Sequence, residues 1–392
     1  MKKGLLLSIA ASAVVFAGGD IAPVEPVQPA PAAAPAACDF WGSLAARYDA
    51  NKIETSADEF GSYDDKATLA VVLGVEKDLG YGFGFGAELG ASMWANFDPF
   101  AKGETAELSQ LYLTYKYGNT AVKAGRMALP KAVSPLAFSD RTAGVVDRAY
   151  NGVTVVNTDL ADTTLVGAWF DSVADDNTNT RIRLAENGLF MLGAINKSIE
   201  NTTLSTAVYF AQGEAGKVFT EDYLSVWGAA ESSISGINVG LQGVYAKDDN
   251  YDDDETYGVA GYVGTNYNGF DVKLTLAYLN DGKASIKYTG NGSASGFWGG
   301  TYYLFGGDIN TDKGEQKIAR LDLGYNIDGY GKVYGGVAAD KSDLPETEIA
   351  ARVGYKFNVA GVDAKVEYRY YQDGSSAQNQ KHRIRVEGVY KF

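Results

Sequence analysis

The chain has 392 residues and a net charge of −15, with 47 Gly, 26 Tyr and 17 Phe against 9 Pro and 4 Met. That acidity excludes a nucleic-acid partner, because no basic stripe survives it. The single Cys, Cys38, excludes an internal disulfide framework, and the single His, His382, speaks against a histidine metal cluster or a Ser-His-Asp site.

Gly and Tyr in excess, with scarce Met, suit many short strands and turns better than a helical bundle. Residues 1–17 read as a signal peptide: Lys2 and Lys3, an apolar run from Gly4 to Phe16, and small residues at its end. The run is too short to span a membrane as a helix, and no later segment reaches the ~20 apolar residues a spanning helix needs. Residues 18–38 form a Pro/Ala-rich periplasmic spacer holding five of the nine prolines. Cys38 closes it as a lone thiol rather than a lipidation site. Residues 39–392 read as one transmembrane β-barrel domain.

From Phe40 one unit repeats: a strand of about ten residues, a tight turn, a second strand, a longer polar loop. Strands are predicted over Phe40–Asp49, then, after a loop from Ala50 to Lys66, over Ala67–Leu79 and Phe83–Asn96. Glu107–Tyr117 and Thr120–Arg126 follow, and the long segment Met127–Ala149 comes next. The pairs Tyr150–Thr158 with Thr163–Asp171, Gly188–Lys197 with Thr202–Ala211, and Asp222–Glu231 with Ile237–Ala246 continue the pattern. Thr256–Asn266 and Phe270–Asn280 precede the longest loop, Asp281–Gln316. Lys317–Ile327, Lys332–Asp340, Thr347–Asn358, Val362–Gln372 and a closing strand to Phe392 complete about eighteen strands.

Successive side chains of a strand point to opposite faces. Val362, Ala364, Val366, Tyr368 and Tyr370 share one face, with Asp363, Lys365, Glu367 and Arg369 on the other. Ile384, Val386, Tyr390 and Phe392 likewise oppose Arg383, Arg385 and Glu387. All short turns fall on one side with both termini. The expected fold is therefore all-β: a transmembrane antiparallel barrel of about 18 strands with short periplasmic turns, long outer loops and one loop folded into the lumen. A soluble barrel or sandwich with one wet face is the alternative.

Three stretches carry a resemblance. DFWGSLAARYDANK (Asp39 to Lys52) resembles the opening of outer-membrane porins of the Campylobacter-type major outer membrane protein, related to the OprD-like family. VKAGRMALP (Val122 to Pro130) resembles the point where such porins pass from a strand into the loop inside the pore. The terminal Phe392 resembles the signal read by the barrel assembly machinery. The resemblance implies an eighteen-stranded channel, commonly a homotrimer, in the bacterial cell outer membrane.

Side chains alone do not fill a lumen of this strand number. Met127–Ala149, rooted at Arg126, is the candidate constriction. Its apolar Val133, Leu136 and Phe138 suit packing on an inner wall, and Lys131, Asp140, Arg141, Asp147 and Arg148 are its charges. A solvated outer loop is the alternative. Arg47, Arg320, Arg352, Lys356, Lys365, Arg369, Arg383 and Arg385 fall on inward positions, and closure would gather them into one basic stripe facing Asp140 and Asp147. They would also pair with Glu348, Glu367 and Glu387 across strands.

In Lys247–Glu255, Asp248, Asp252 and Asp254 make a weak calcium candidate. The spacing fails an EF-hand loop, so a solvated acidic loop, bridged at most to lipopolysaccharide, is expected. No helix follows the Gly runs, so no dinucleotide site is expected.

The function expected is a porin, not an enzyme, without cofactor: a water-filled channel for passive diffusion of small hydrophilic solutes and ions through outer-membrane lipid. Acidic outer loops favour cations at the entrance, against the basic wall. The rivals are a substrate-specific channel and a surface adhesin or structural barrel using loop Asp281–Gln316.

Overall fold

Alternation of apolar and polar side chains gives each long strand two unlike faces, and the computed structural model closes these strands into a ring. The structure describes residues 38–392 apart from 56–57, 64, 97–101, 140, 143–144, 147–148, 175–180, 250–254, 285–296, 299–313 and 376–378. In chain order the strands are β1 (Asp39–Thr55), β2 (Asp58–Tyr63), β3 (Lys66–Gly80), β4 (Phe83–Asn96), β5 (Lys102–Tyr117), β6 (Thr120–Met127), β7 (Arg141–Thr142), β8 (Val145–Val146), β9 (Tyr150–Asn157), β10 (Thr163–Ala174) and β11 (Arg181–Arg183). They continue as β12 (Leu189–Asn196), β13 (Thr202–Ala211), β14 (Tyr223–Ile234), β15 (Ile237–Asp248), β16 (Thr256–Tyr267), β17 (Phe270–Leu279), β18 (Gln316–Ile327), β19 (Gly331–Lys341), β20 (Glu348–Val359), β21 (Val362–Gln372) and β22 (Gln380–Lys391).

Eighteen of these make a closed antiparallel barrel. β2 pairs with the end of β1, β11 with the end of β10, and β7 with β8; these four stand outside the ring. Closure runs from Ser43 opposite Lys391 to Glu54 opposite Gln380. The predicted strands are all present. Some expected loops are partly strand: within Ser172–Asn187 β10 runs on to Ala174 and pairs with β11, and within Ala50–Lys66 β1 runs on to Thr55 and returns as β2. Its polar residues pair beyond the ring, where no apolar face is needed.

The short turns gather at one end. Ser235-Gly236, Asn268-Gly269 and Ala360-Gly361 each place two successive residues at positive φ. That is the twist a two-residue hairpin needs to follow its strands. Tyr81, Tyr117, Tyr267 and Tyr330 stand exposed at this end, as rings at a membrane interface do.

The two faces have opposite character. Outward positions are apolar: Leu73, Leu111, Leu241, Leu276 and Val353 are each half exposed or more. A continuous apolar belt costs about 25 cal/mol per Å² in water, so it requires an apolar medium around it. Inward, the wall divides in two. From β9 to β17 it is largely apolar, with Tyr150, Phe170, Leu189, Met191, Tyr209, Tyr223 and Leu279 fully buried. From β18 through β22 into β1 it is charged.

Candidate functional site

The segment after β6 turns into the barrel because it has somewhere apolar to go. Leu129, Val133, Leu136 and Ala137 are buried in the cluster formed by the inner faces of β9–β17, and Phe138 is buried beside them on the loop. Each of the larger side chains contributes about 1.5–3 kcal/mol relative to exposure. Tyr209 on β13 fixes the turn: its hydroxyl lies 3.0 Å from Ser134 Oγ and accepts from the Leu136 amide at 3.2 Å.

The root is held from the other side. Ser109 is the extra residue of a β-bulge in β5, which points both Ser109 and Gln110 inward. Gln110 Oε1 accepts from the Ala128 amide (2.9 Å), and Gln110 Nε2 and Ser109 Oγ donate to buried Glu88 (3.0 and 2.8 Å). The β7–β8 hairpin then lies against β3 and β4. The segment thus crosses the lumen from one wall to the other.

Opposite stands the charged wall, set by register. Arg369 faces Arg352 on one side and Arg383 on the other, and Lys365 stands between Lys356 and Glu387. Carboxylates are threaded between the cations. Asp322 takes Arg320 Nε at 2.6 Å and Arg352 Nη2 at 2.7 Å. Glu367, only 3 % exposed, takes Arg369 Nε at 2.5 Å, and Glu387 pairs with Lys365 at 3.3 Å. Across the seam Asp49 takes Arg47 Nε and Arg385 Nε, both at 2.6 Å. Lining the lumen and pairing across strands hold together here.

Loop and wall enclose a hollow of about 780 Å³. Its cations are Lys131, Lys273, Lys332, Lys356, Lys365, Arg320, Arg352 and Arg369, and its carboxylates Asp271, Asp322 and Glu367. Lys131, on the loop, lies 5.3 Å from the Phe138 ring centroid. A second chain segment enters the hollow. Phe297 is buried, and the Trp298 amide donates to Gln242 Oε1 at 2.8 Å, with its ring edge-on to Tyr262 at 4.8 Å. By sequence Phe297 and Trp298 fall in the long loop Asp281–Gln316, marked only as an aromatic pair amid Gly and Ser.

The expected site residues divide accordingly. Lys131, Arg320, Arg352 and Arg369 line the hollow, while Arg47, Arg383 and Arg385 continue the inward row across the seam. Arg126 departs from expectation. It stands opposite outward Leu111, and its guanidinium donates to the Leu108 carbonyl at 3.0 Å. Gly125 and Met127 take the inward positions beside it, so parity turns Arg126 to the outer face. Arg141 lies in β7; its side chain, with Asp140, Asp147 and Arg148, lies outside the described residues, as do Asp252 and Asp254. Asp248 ends β15, and the described residues hold no acidic or histidine group of three fit for a metal. Glu348 accepts from the Tyr371 hydroxyl. His382 lies on the outer face, Nδ1 2.9 Å from the Tyr368 hydroxyl.

No protein-family description matches the sequence, and no curated protein does. Solved structures do. A BenF-like porin from Pseudomonas fluorescens Pf-5 superposes with a TM-score of 0.72 at 15% identity, covering 90% of this chain and 98% of its own. The chain has the fold of that porin. Pseudomonas aeruginosa OpdQ (0.71, 12% identity, 91% and 97% covered) and OpdO (0.70, 12%, 90% and 97%) share it. The fold is thus shared over about nine-tenths of the chain at identities where sequence comparison is silent.

Proposed function

We propose that this chain is an outer-membrane porin: a water-filled channel through which small hydrophilic solutes and ions diffuse passively, with no catalytic chemistry and no cofactor. One observation carries the reading. A closed eighteen-strand ring, apolar outside, encloses a charged hollow narrowed by its own chain. A barrel built only for adhesion has no use for a charged bore.

Among the described residues the hollow holds eight cations against three carboxylates, which favours anions at the narrow part. This reverses the preference expected from net charge, because charges on outer loops stand farther from the passing ion and are screened within about 10 Å. Of the residues singled out in the sequence, Lys131, Arg320, Arg352, Arg369, Arg383, Arg385 and Arg47 are proposed to line the ion path.

The stretches Asp39–Lys52 and Val122–Pro130 support the finer likeness to Campylobacter-type porins. With it come a homotrimer, contact with lipopolysaccharide, and recognition of Phe392 by the assembly machinery. The test is recording in a planar bilayer. Conductance steps grouped in threes and a reversal potential favouring chloride are expected; silent bilayers overturn the channel, and a potassium-selective potential overturns the anion preference.

A further inference from the structure

One arrangement recurs in the lumen wall. Tyr112, Gly86 and Glu76 stand in register on three consecutive ring strands. So do Tyr262, Gly240 and Glu231, and Tyr334, Gly354 and Glu367. In each set the ring lies across the glycine, where a Cβ would run into it. Its hydroxyl reaches the carboxylate on the far strand, at 2.7, 2.6 and 2.9 Å respectively. A lysine sits over each ring: Lys123 at 3.5 Å, Lys273 at 3.7 Å and Lys356 at 5.0 Å from the centroid. A fourth set keeps the register with another aromatic: Trp41 lies over Gly74, and Glu88 follows. All four sit in the half of the barrel nearer the short turns.

We infer that each set is a pin that holds an aromatic ring flat along the inner wall and out of the bore. An inward tyrosine on a wide barrel has two places to lie: along the wall, or out into the lumen. Any residue with a Cβ beside it closes the first place. Glycine opens it, and the glutamate two strands away fixes the far end with a charge-assisted hydrogen bond. The lysine then finds a ring face presented to the lumen, which suits a cation. Gly86, Gly240 and Gly354 are thus positioning residues: they act on the bore through the rings they bed. The effect on ion flow rests on the channel reading; the posture of the rings does not.

The test separates the two. Gly354→Val displaces Tyr334, which lines the hollow, and Gly86→Val displaces Tyr112, which does not. Nitration by tetranitromethane, read by peptide mass spectrometry on the detergent-folded barrel, reports each tyrosine separately, with Tyr81, 99 % exposed, as internal reference. In the parent protein Tyr112 and Tyr334 are expected to nitrate several-fold more slowly than Tyr81. Each glycine variant should speed nitration several-fold at its own tyrosine alone, and Gly354→Val should also lose single-channel conductance. Heat-modifiable gel migration checks folding. Where a valine variant does not fold, Glu76→Gln, which weakens the tie without crowding the ring, reads the same nitration at Tyr112. Unchanged nitration at the facing tyrosine overturns the pins. Faster nitration with no current through any variant or the parent leaves the pins standing and overturns the porin.

Discussion

At the scale of single residues, Asp322 sets the charge of the hollow, since it holds both Arg320 and Arg352. Asp322→Asn removes the negative charge that these two guanidiniums share. The chloride-to-potassium permeability ratio is expected to rise about twofold, with a loss of about 1–3 kcal/mol in stability. Arg352→Gln should move the ratio the other way. Reversal potentials of both variants in a KCl gradient check this; shifts of the same sign would refute the assignment. The cations were legible from alternation alone: Arg320, Arg352, Arg369 and Arg385 fall on the polar parity of their strands. So were two of the anions, Glu367 beside Arg369 and Glu387 beside Lys365; Asp49 and Asp322 were not. Asp49 meets Arg385 only through the seam, 336 positions apart, and Asp322 meets Arg352 across an intervening strand. Such partnerships follow from register, which no local pattern encodes.

At the scale of elements, the inner loop stays inside because its apolar residues match an apolar wall. Tyr209→Phe removes the hydroxyl that meets Ser134 and Leu136, a loss of about 1 kcal/mol. It is expected to raise open-channel noise while changing mean conductance little. Deleting Val133–Ser139 removes most of the buried contact and should raise conductance severalfold, checked by single-channel recording. The apolar run Val133, Leu136, Phe138 made this loop legible as an inward one. Its wall was harder to read. β12–β14 are apolar on both faces, with Met191, Tyr209 and Trp227 inward and Leu192, Phe210 and Val226 outward, so alternation marks no difference between lumen and lipid.

The seam is an element of its own. Phe392 exchanges both backbone hydrogen bonds with Gly42, and its ring lies where a Cβ on Gly42 would stand, 2.6 Å from Cζ. Gly42→Leu forces the terminal ring off β1. The compact, heat-modifiable species on gels is expected to fall sharply, whereas Gly42→Ala asks for a smaller shift and should assemble more. Equal assembly of both would show that the ring needs no bed there.

At the scale of the whole molecule, one rule of parity must serve two solvents at once. Along β17, Leu276 is outward and 55 % exposed, while its neighbour Thr275 is inward and 3 % exposed. In lipid the outward position excludes charge, at about 2–4 kcal/mol for an arginine at mid-depth. In water, an exposed leucine replaced by arginine changes stability little. Leu276→Arg therefore discriminates the membrane barrel from a soluble one of identical topology. Unfolding by urea from lipid vesicles is expected to show a loss of about 2–4 kcal/mol for Leu276→Arg. Lys273→Gln, on the lumen face of the same strand, should lose far less, because water in the bore solvates the amide. If the two variants lose equally little, the outer belt does not meet lipid. The inward assignments of β17 to β22 would then lose the argument that orients them.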